Sequence, residues 1–140
     1  MKVYIALLFV AVLPVPGGES QDLGLTSRVE LPAFATALEG IPNTLVTSDS
    51  EGTKTVQLSR EDVAKTRLLV TIVNGKYYWA CRENRPLELR PSGSFTYLFN
   101  GPEGYIKFSR FGNKIVYMEH VSMFLTTLTY WGELKIVTGR

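Results

Sequence analysis

The sequence predicts an all-β, mainly antiparallel, single-domain protein. It should be a meander that is barrel-like or a two-sheet sandwich, with one or two short helical turns near the N-terminal third. Three observations carry this expectation. From Thr66 onward, apolar and polar residues alternate in short runs, the period of a half-buried strand. Gly, Asn and Pro punctuate those runs at the spacing of strands joined by tight turns. The 140 residues are 45% apolar and 20% charged, a balance that excludes a disordered or collagen-like chain and leaves room for one domain.

The N-terminus reads differently from the rest. Met1-Lys2 supplies one positive charge, Val3 to Leu13 is unbroken apolar sequence, and Pro14, Pro16, Gly17, Gly18 and Ser20 follow. A basic start, a short apolar segment and small residues in that order form the pattern of a secretory signal peptide, with cleavage expected after Ser20 or at Gly17-Gly18. The apolar run is too short to span a bilayer, which takes about 20 residues. The expected organisation is a signal peptide over 1–20, a poorly specified lead-in over 21–43 and a β-rich domain over 44–140. None of Asn43, Asn74, Asn84, Asn100 and Asn113 opens a glycosylation sequon, and the lone Cys81 forms no internal disulfide. These features favour a secreted or periplasmic protein of bacterial type.

Within the lead-in, Pro32 and Gly40 bracket Leu31 to Gly40 as a short helix, with Pro in its first turn and Gly at its stop. Thr44 to Ser48 and Thr53 to Leu58 flank Asp49-Ser50-Glu51-Gly52 as a candidate hairpin. Ser59-Arg60-Glu61-Asp62 offers a capping hydroxyl and early acidic groups for a second helical turn.

Val73-Asn74-Gly75-Lys76 is the strongest local signal. Asn-Gly favours a type I′ turn, and a two-residue loop sets the register. Val73 then faces Lys76, Ile72 faces Tyr77, Val70 faces Trp79 and Leu68 faces Cys81, so Leu68, Val70, Ile72, Tyr77, Trp79 and Cys81 share one apolar face. Gly112-Asn113 repeats the pattern: Arg110 faces Ile115, Phe108 faces Tyr117, Ile106 faces Glu119 and Tyr105 faces His120. Leu87 and Leu89, then Phe95, Tyr97 and Phe99, alternate between the two hairpins. Met123 to Leu128 reads as strand or as the start of a helix.

Few residues offer chemistry. Cys81 and His120 are each unique, but their registers put Cys81 on the apolar face and His120 on the mixed face opposite Tyr105, which argues against a nucleophilic pair. There is no Gly-x-Ser-x-Gly elbow, phosphate loop, Ca²⁺ loop or metal-ligand cluster, so no metal and no cofactor are expected. A net charge of +2 argues against nucleic acid. Arg82-Glu83-Asn84-Arg85, with Arg90 shortly after, is the densest polar cluster. Guanidinium forks there would grip a carboxylate or phosphate, so Arg82, Asn84, Arg85 and Arg90 are the candidate partner-binding residues. Glu119 shares a face with Ile106 and Tyr117, where burial would raise its pKa unless a cation such as Arg110 met it. With Glu83 or Glu103 it could form an acid/base pair. The aromatics Tyr77, Trp79, Phe95, Tyr97, Phe99, Phe108 and Tyr117 are assigned mostly to the inner faces, with Tyr78 and Tyr105 outside.

The resulting expectation is an exported binding or surface/structural module acting through loops at one end of the sheet. Its partner would be a protein, a glycan or a small anionic ligand, with no integral membrane insertion after signal cleavage. The alternative is a small hydrolase using a carboxylate pair on envelope polysaccharide, and a third possibility is a carrier with an apolar cavity inside a barrel.

Overall fold

In the computed structural model, which describes residues 26–139, Asn74 and Gly75 have φ of 52° and 73°, as a type I′ turn requires. The strands that they join, Leu68–Val73 and Lys76–Trp79, pair as Val70↔Trp79, Ile72↔Tyr77 and Val73↔Lys76. The second hairpin joins Gly104–Phe111 to Lys114–Met123 through Gly112 at φ 60°. Its register, Tyr105↔His120, Ile106↔Glu119, Phe108↔Tyr117 and Arg110↔Ile115, is the one expected. The expected signal peptide over 1–20 lies outside the described residues.

In chain order the elements are β1 (Ala35–Asp49), β2 (Gly52–Gln57), α1 (Arg60–Lys65), β3 (Leu68–Val73), β4 (Lys76–Trp79), β5 (Arg85–Leu89), β6 (Thr96–Phe99), a 3-10 turn (Gly101–Glu103), β7 (Gly104–Phe111), β8 (Lys114–Met123) and β9 (Thr126–Thr138). Each strand from β3 to β9 pairs antiparallel with the next, and β1 pairs with both β3 and β9. The result is a closed eight-strand barrel, β1 and β3 to β9. Closure removes free edges, which decides between barrel and sandwich. β2 is added outside the ring, on the distal half of β1 over Thr44 to Asp49. At α1 the expected cap is present: Ser59 Oγ accepts the Asp62 N–H at 3.2 Å, and the Asp62 carboxylate receives the Ser59 hydroxyl at 2.6 Å.

Three sequence expectations need correction. Residues 35–40 are strand, not helix, because β1 has a ladder on both edges, Leu38 facing Val70 on one side and Ile136 on the other. Two ladders outweigh a weak local helix signal. The strand takes in Asn43 and Thr44 alike, and Val29 before it is already in the core. Residues 123–128, which the sequence leaves open between strand and helix, form a hairpin end: Met123 pairs with Thr126 around a two-residue loop, Phe124-Leu125.

Cys81 does not extend the β3–β4 ladder. The N–H groups of Ala80 and Cys81 both donate to the Leu69 carbonyl, at 2.9 and 3.4 Å. That bulge-like doubling turns Cys81 out of the apolar face into an exposed position. Finally, Phe95, Tyr97 and Phe99 are not in the barrel core. Thr96 and Leu98 point inward instead, with Leu98 opposite Ile106 and Thr96 opposite Phe108. The interior is already occupied by Trp79, Phe108 and Tyr117, packed with Leu38, Leu68, Val70, Leu98 and Leu134. Three more rings would not fit, so they lie on the outer wall, where Lys107 covers Phe95 at 4.1 Å and Arg90 covers Phe99 at 4.5 Å.

Candidate functional site

The connections β4–β5, β6–β7 and β8–β9 come together at one end of the barrel and enclose a cleft of about 470 Å³. The β4–β5 connection is built on a tight turn. Glu83 and Asn84 both have positive φ, 58° and 52°, and the Arg85 N–H returns to the Arg82 carbonyl at 3.2 Å. This brings the two arginines to the same side of the mouth. Trp79, the last residue of β4, reaches across to β7, and its indole passes so close to Gly104 that a β-carbon there would lie 3.0 Å from the ring. The lining combines the apolar Trp79, Val121, Met123 and Phe124 with the polar Arg82, Arg85, Asn100, Glu103 and Ser122.

Beneath the cleft is Glu119, in the middle of β8 and only 1% exposed in its side chain. It is placed there by the Ile106↔Glu119↔Tyr130 register across three strands. One carboxylate oxygen, Oε1, accepts both the Trp79 indole N–H and the Arg82 Nε–H, each at 2.9 Å. The Arg82 guanidinium lies 5.6 Å from the Trp79 ring and 5.9 Å from the Tyr130 ring, within cation–π reach of both. Burial pushes the Glu119 carboxyl above its ordinary range, and Arg82 and the indole pull it only part of the way back. Burial is the largest influence on the Arg82 cation and penalises it, but the charge and hydrogen bond of Glu119, with smaller help from Cys81 and Tyr130, together more than restore it.

Arg82 remains 28% exposed and lines the cleft. Of the five N–H donors of a guanidinium, only Nε–H is used: among the described residues, neither terminal nitrogen donates to an acceptor. On the rim, Arg85 pairs with both Glu103 and Glu83.

The structure therefore brings Arg82, Arg85, Glu83 and Glu103 to one cleft with Glu119 behind it. Asn84 is in the turn but not in the cleft lining. Arg90 lies on the outer wall, bonded to Glu88 at 2.8 Å. The partner of Glu119 is Arg82, not Arg110. His120 also faces outward, stacked on Tyr105 with ring centroids 5.2 Å apart and its Nδ1 3.0 Å from Thr129 Oγ1. Cys81 borders the cleft, its Sγ 3.5 Å from the Leu69 N–H and its thiol pushed up by burial of the sulfur. No contact joins it to His120. Among the described residues, no three His, Cys, Asp or Glu side chains converge as a metal site.

Sequence reasoning missed the apolar half of the site. Trp79 was assigned only to the core, and Val121, Met123 and Phe124 to no site at all. The available signal was Met123-Phe124-Leu125 itself, large apolar residues at a bend that no Gly, Asn or Pro accounts for.

Comparison with protein-family models, curated proteins and solved structures returned no match.

Proposed function

We propose that this is an exported binding module that receives an anionic group of its ligand at the barrel-end cleft, on the terminal nitrogens of Arg82. The observation that carries the reading is the anchored guanidinium. Glu119 holds it by Nε, Trp79 and Tyr130 flank it, and its other donors lie at the cleft wall. A planar donor edge fixed before the ligand arrives matches a carboxylate or phosphate bidentately and loses little entropy on binding. The cleft volume is within the range of small-molecule sites. The carboxylates support binding over the hydrolase alternative, since each is engaged: Glu83 and Glu103 by Arg85, Glu119 by Arg82 and Trp79. A cavity carrier is disfavoured because side chains fill the barrel interior. That interior is apolar, the reverse of the polar lumen of a membrane barrel.

The test is a titration with butyrate, followed by NMR shifts of the Trp79 indole N–H and the amides of residues 79–85 and 121–125, with 1-butanol as control. Saturable shifts are expected with butyrate alone. Arg82→Lys keeps a cation beside Glu119 but loses the fork, and should weaken binding at least about tenfold. Absence of saturable shifts with butyrate would remove the reading.

A further inference from the structure

The loop that borders the cleft has a property the anion site does not explain. Met123, Phe124 and Leu125 are 50%, 104% and 87% exposed at the tip of the β8–β9 hairpin. Phe124 also has φ of 53°, a left-handed conformation that is costly for a large side chain. Strain held at a fully solvated aromatic does nothing for the core. Such strain is characteristic of sites where a side chain is aimed for use. Phe124 and Met123 line the same cleft as Arg82, together with Val121 and Trp79.

We infer that the ligand is a free, monomeric amphiphile, with one anionic head on Arg82 and an apolar chain lying along Met123, Phe124 and Leu125. This rests on the anion-binding reading above and names the rest of the molecule. The chain lies across the mouth, because Trp79, Phe108 and Tyr117 occupy the space below. Three tip residues are far too few for a stable protein interface, which buries on the order of 1,200 Å² or more. An apolar strip continuous with a single cationic fork instead matches a molecule with one charge and one tail.

The experiment measures dissociation constants for butyrate, octanoate and dodecanoate below their micellar concentrations. Controls are 1-octanol, octyltrimethylammonium and phosphatidylcholine vesicles. Affinity should rise about two- to fourfold per methylene added. Phe124→Ser should collapse the butyrate-to-dodecanoate ratio, and Phe124→Met should restore most of it. Three results would overturn the inference while leaving the anion site in place: butyrate binding with no gain from chain length, a Phe124→Ser variant that keeps the full gain, or binding to vesicles but not to monomeric dodecanoate. Equal binding of octanol or octyltrimethylammonium would show that the head is not read, and failure of every carboxylate would remove both readings together.

Discussion

At the scale of single residues, the decisive group is Glu119. A carboxylate in a barrel core is costly unless cations and hydrogen-bond donors meet it. Here both donors, from Trp79 and Arg82, meet one oxygen, and burial still holds the carboxyl above its ordinary range. Across the pH window just above the usual carboxylate pKa, the folded protein keeps the Glu119 proton and the unfolded chain releases it. Stability contributed by this group therefore falls as pH rises through that window. The groups around it whose titration is shifted, Arg82, Cys81 and Tyr117, are all pushed up and titrate well above it. Exposed Asp62 and Glu88 are shifted down by Ser59 and Arg90, so their contributions run the other way, lost as pH falls below the carboxylate range. Urea unfolding of Glu119→Gln from pH 4 to pH 8 should remove the decline and leave the opposite trend. An unchanged profile would mean that Glu119 titrates alike in the folded and unfolded chain. Arg82 also changes how any binding test is designed. Truncating it to alanine would leave Glu119 buried with only an indole for a partner, at a cost of about 3–5 kcal/mol. A loss of binding in that variant would report unfolding as much as recognition.

At the scale of elements, the hairpins differ in what their turns are for. Asn74-Gly75 and Gly112 hold residue types that accept positive φ, so those turns set register at little cost. Phe124 pays for its turn, and in the amphiphile reading it does so to present its ring to the apolar chain. Phe124→Gly should therefore stabilise the barrel by about 1 kcal/mol, the left-handed penalty recovered less the extra chain entropy of glycine. The same substitution should weaken dodecanoate binding. A thermal melt and one titration check both halves, and a lowered melting temperature would show that the Phe124 conformation is not strained. Glu83, also at positive φ, shows the same pattern on the opposite side of the mouth, where its turn sets the two arginines in place.

At the scale of the whole molecule, the barrel depends on its closing seam. β1 and β9 pair along nearly their full lengths, with a register shift between Pro42 and Thr44 opposite Gly132 and Trp131. A β-carbon on Gly132 would lie 2.0 Å from the Ile41 carbonyl oxygen and 2.6 Å from Pro42 Cα, both of them backbone atoms that cannot rotate away. Gly132→Ala should force the seam apart and destabilise the protein by about 2 kcal/mol or more. Hydrogen exchange should then rise along β1 and β9 before it rises in the β7–β8 hairpin. Uniform loss of protection would show that the ring opens as one unit.

The sequence alone determined the two central hairpins, the inward faces of β7 and β8, the parity that puts Glu119 on the face of Ile106 and Tyr117, and the capped turn at Ser59. It also picked out Arg82, Arg85, Glu83 and Glu103, which converge on one cleft. These were legible because turn chemistry and side-chain parity act over a few neighbouring residues, so that once a two-residue loop is recognised its strands follow. Tertiary structure decided the rest. Residues 35–40 became strand only because β3 and β9 supply partners, the latter nearly a hundred residues away. Phe95, Tyr97 and Phe99 were turned outward by rings from other strands that had filled the interior. Cys81 left the apolar face through a bulge that no local pattern announced, and Arg82 found Glu119 across thirty-seven residues. Each of those outcomes depends on competition for one enclosed volume or on pairing across the ring, quantities that exist only when the whole chain has closed.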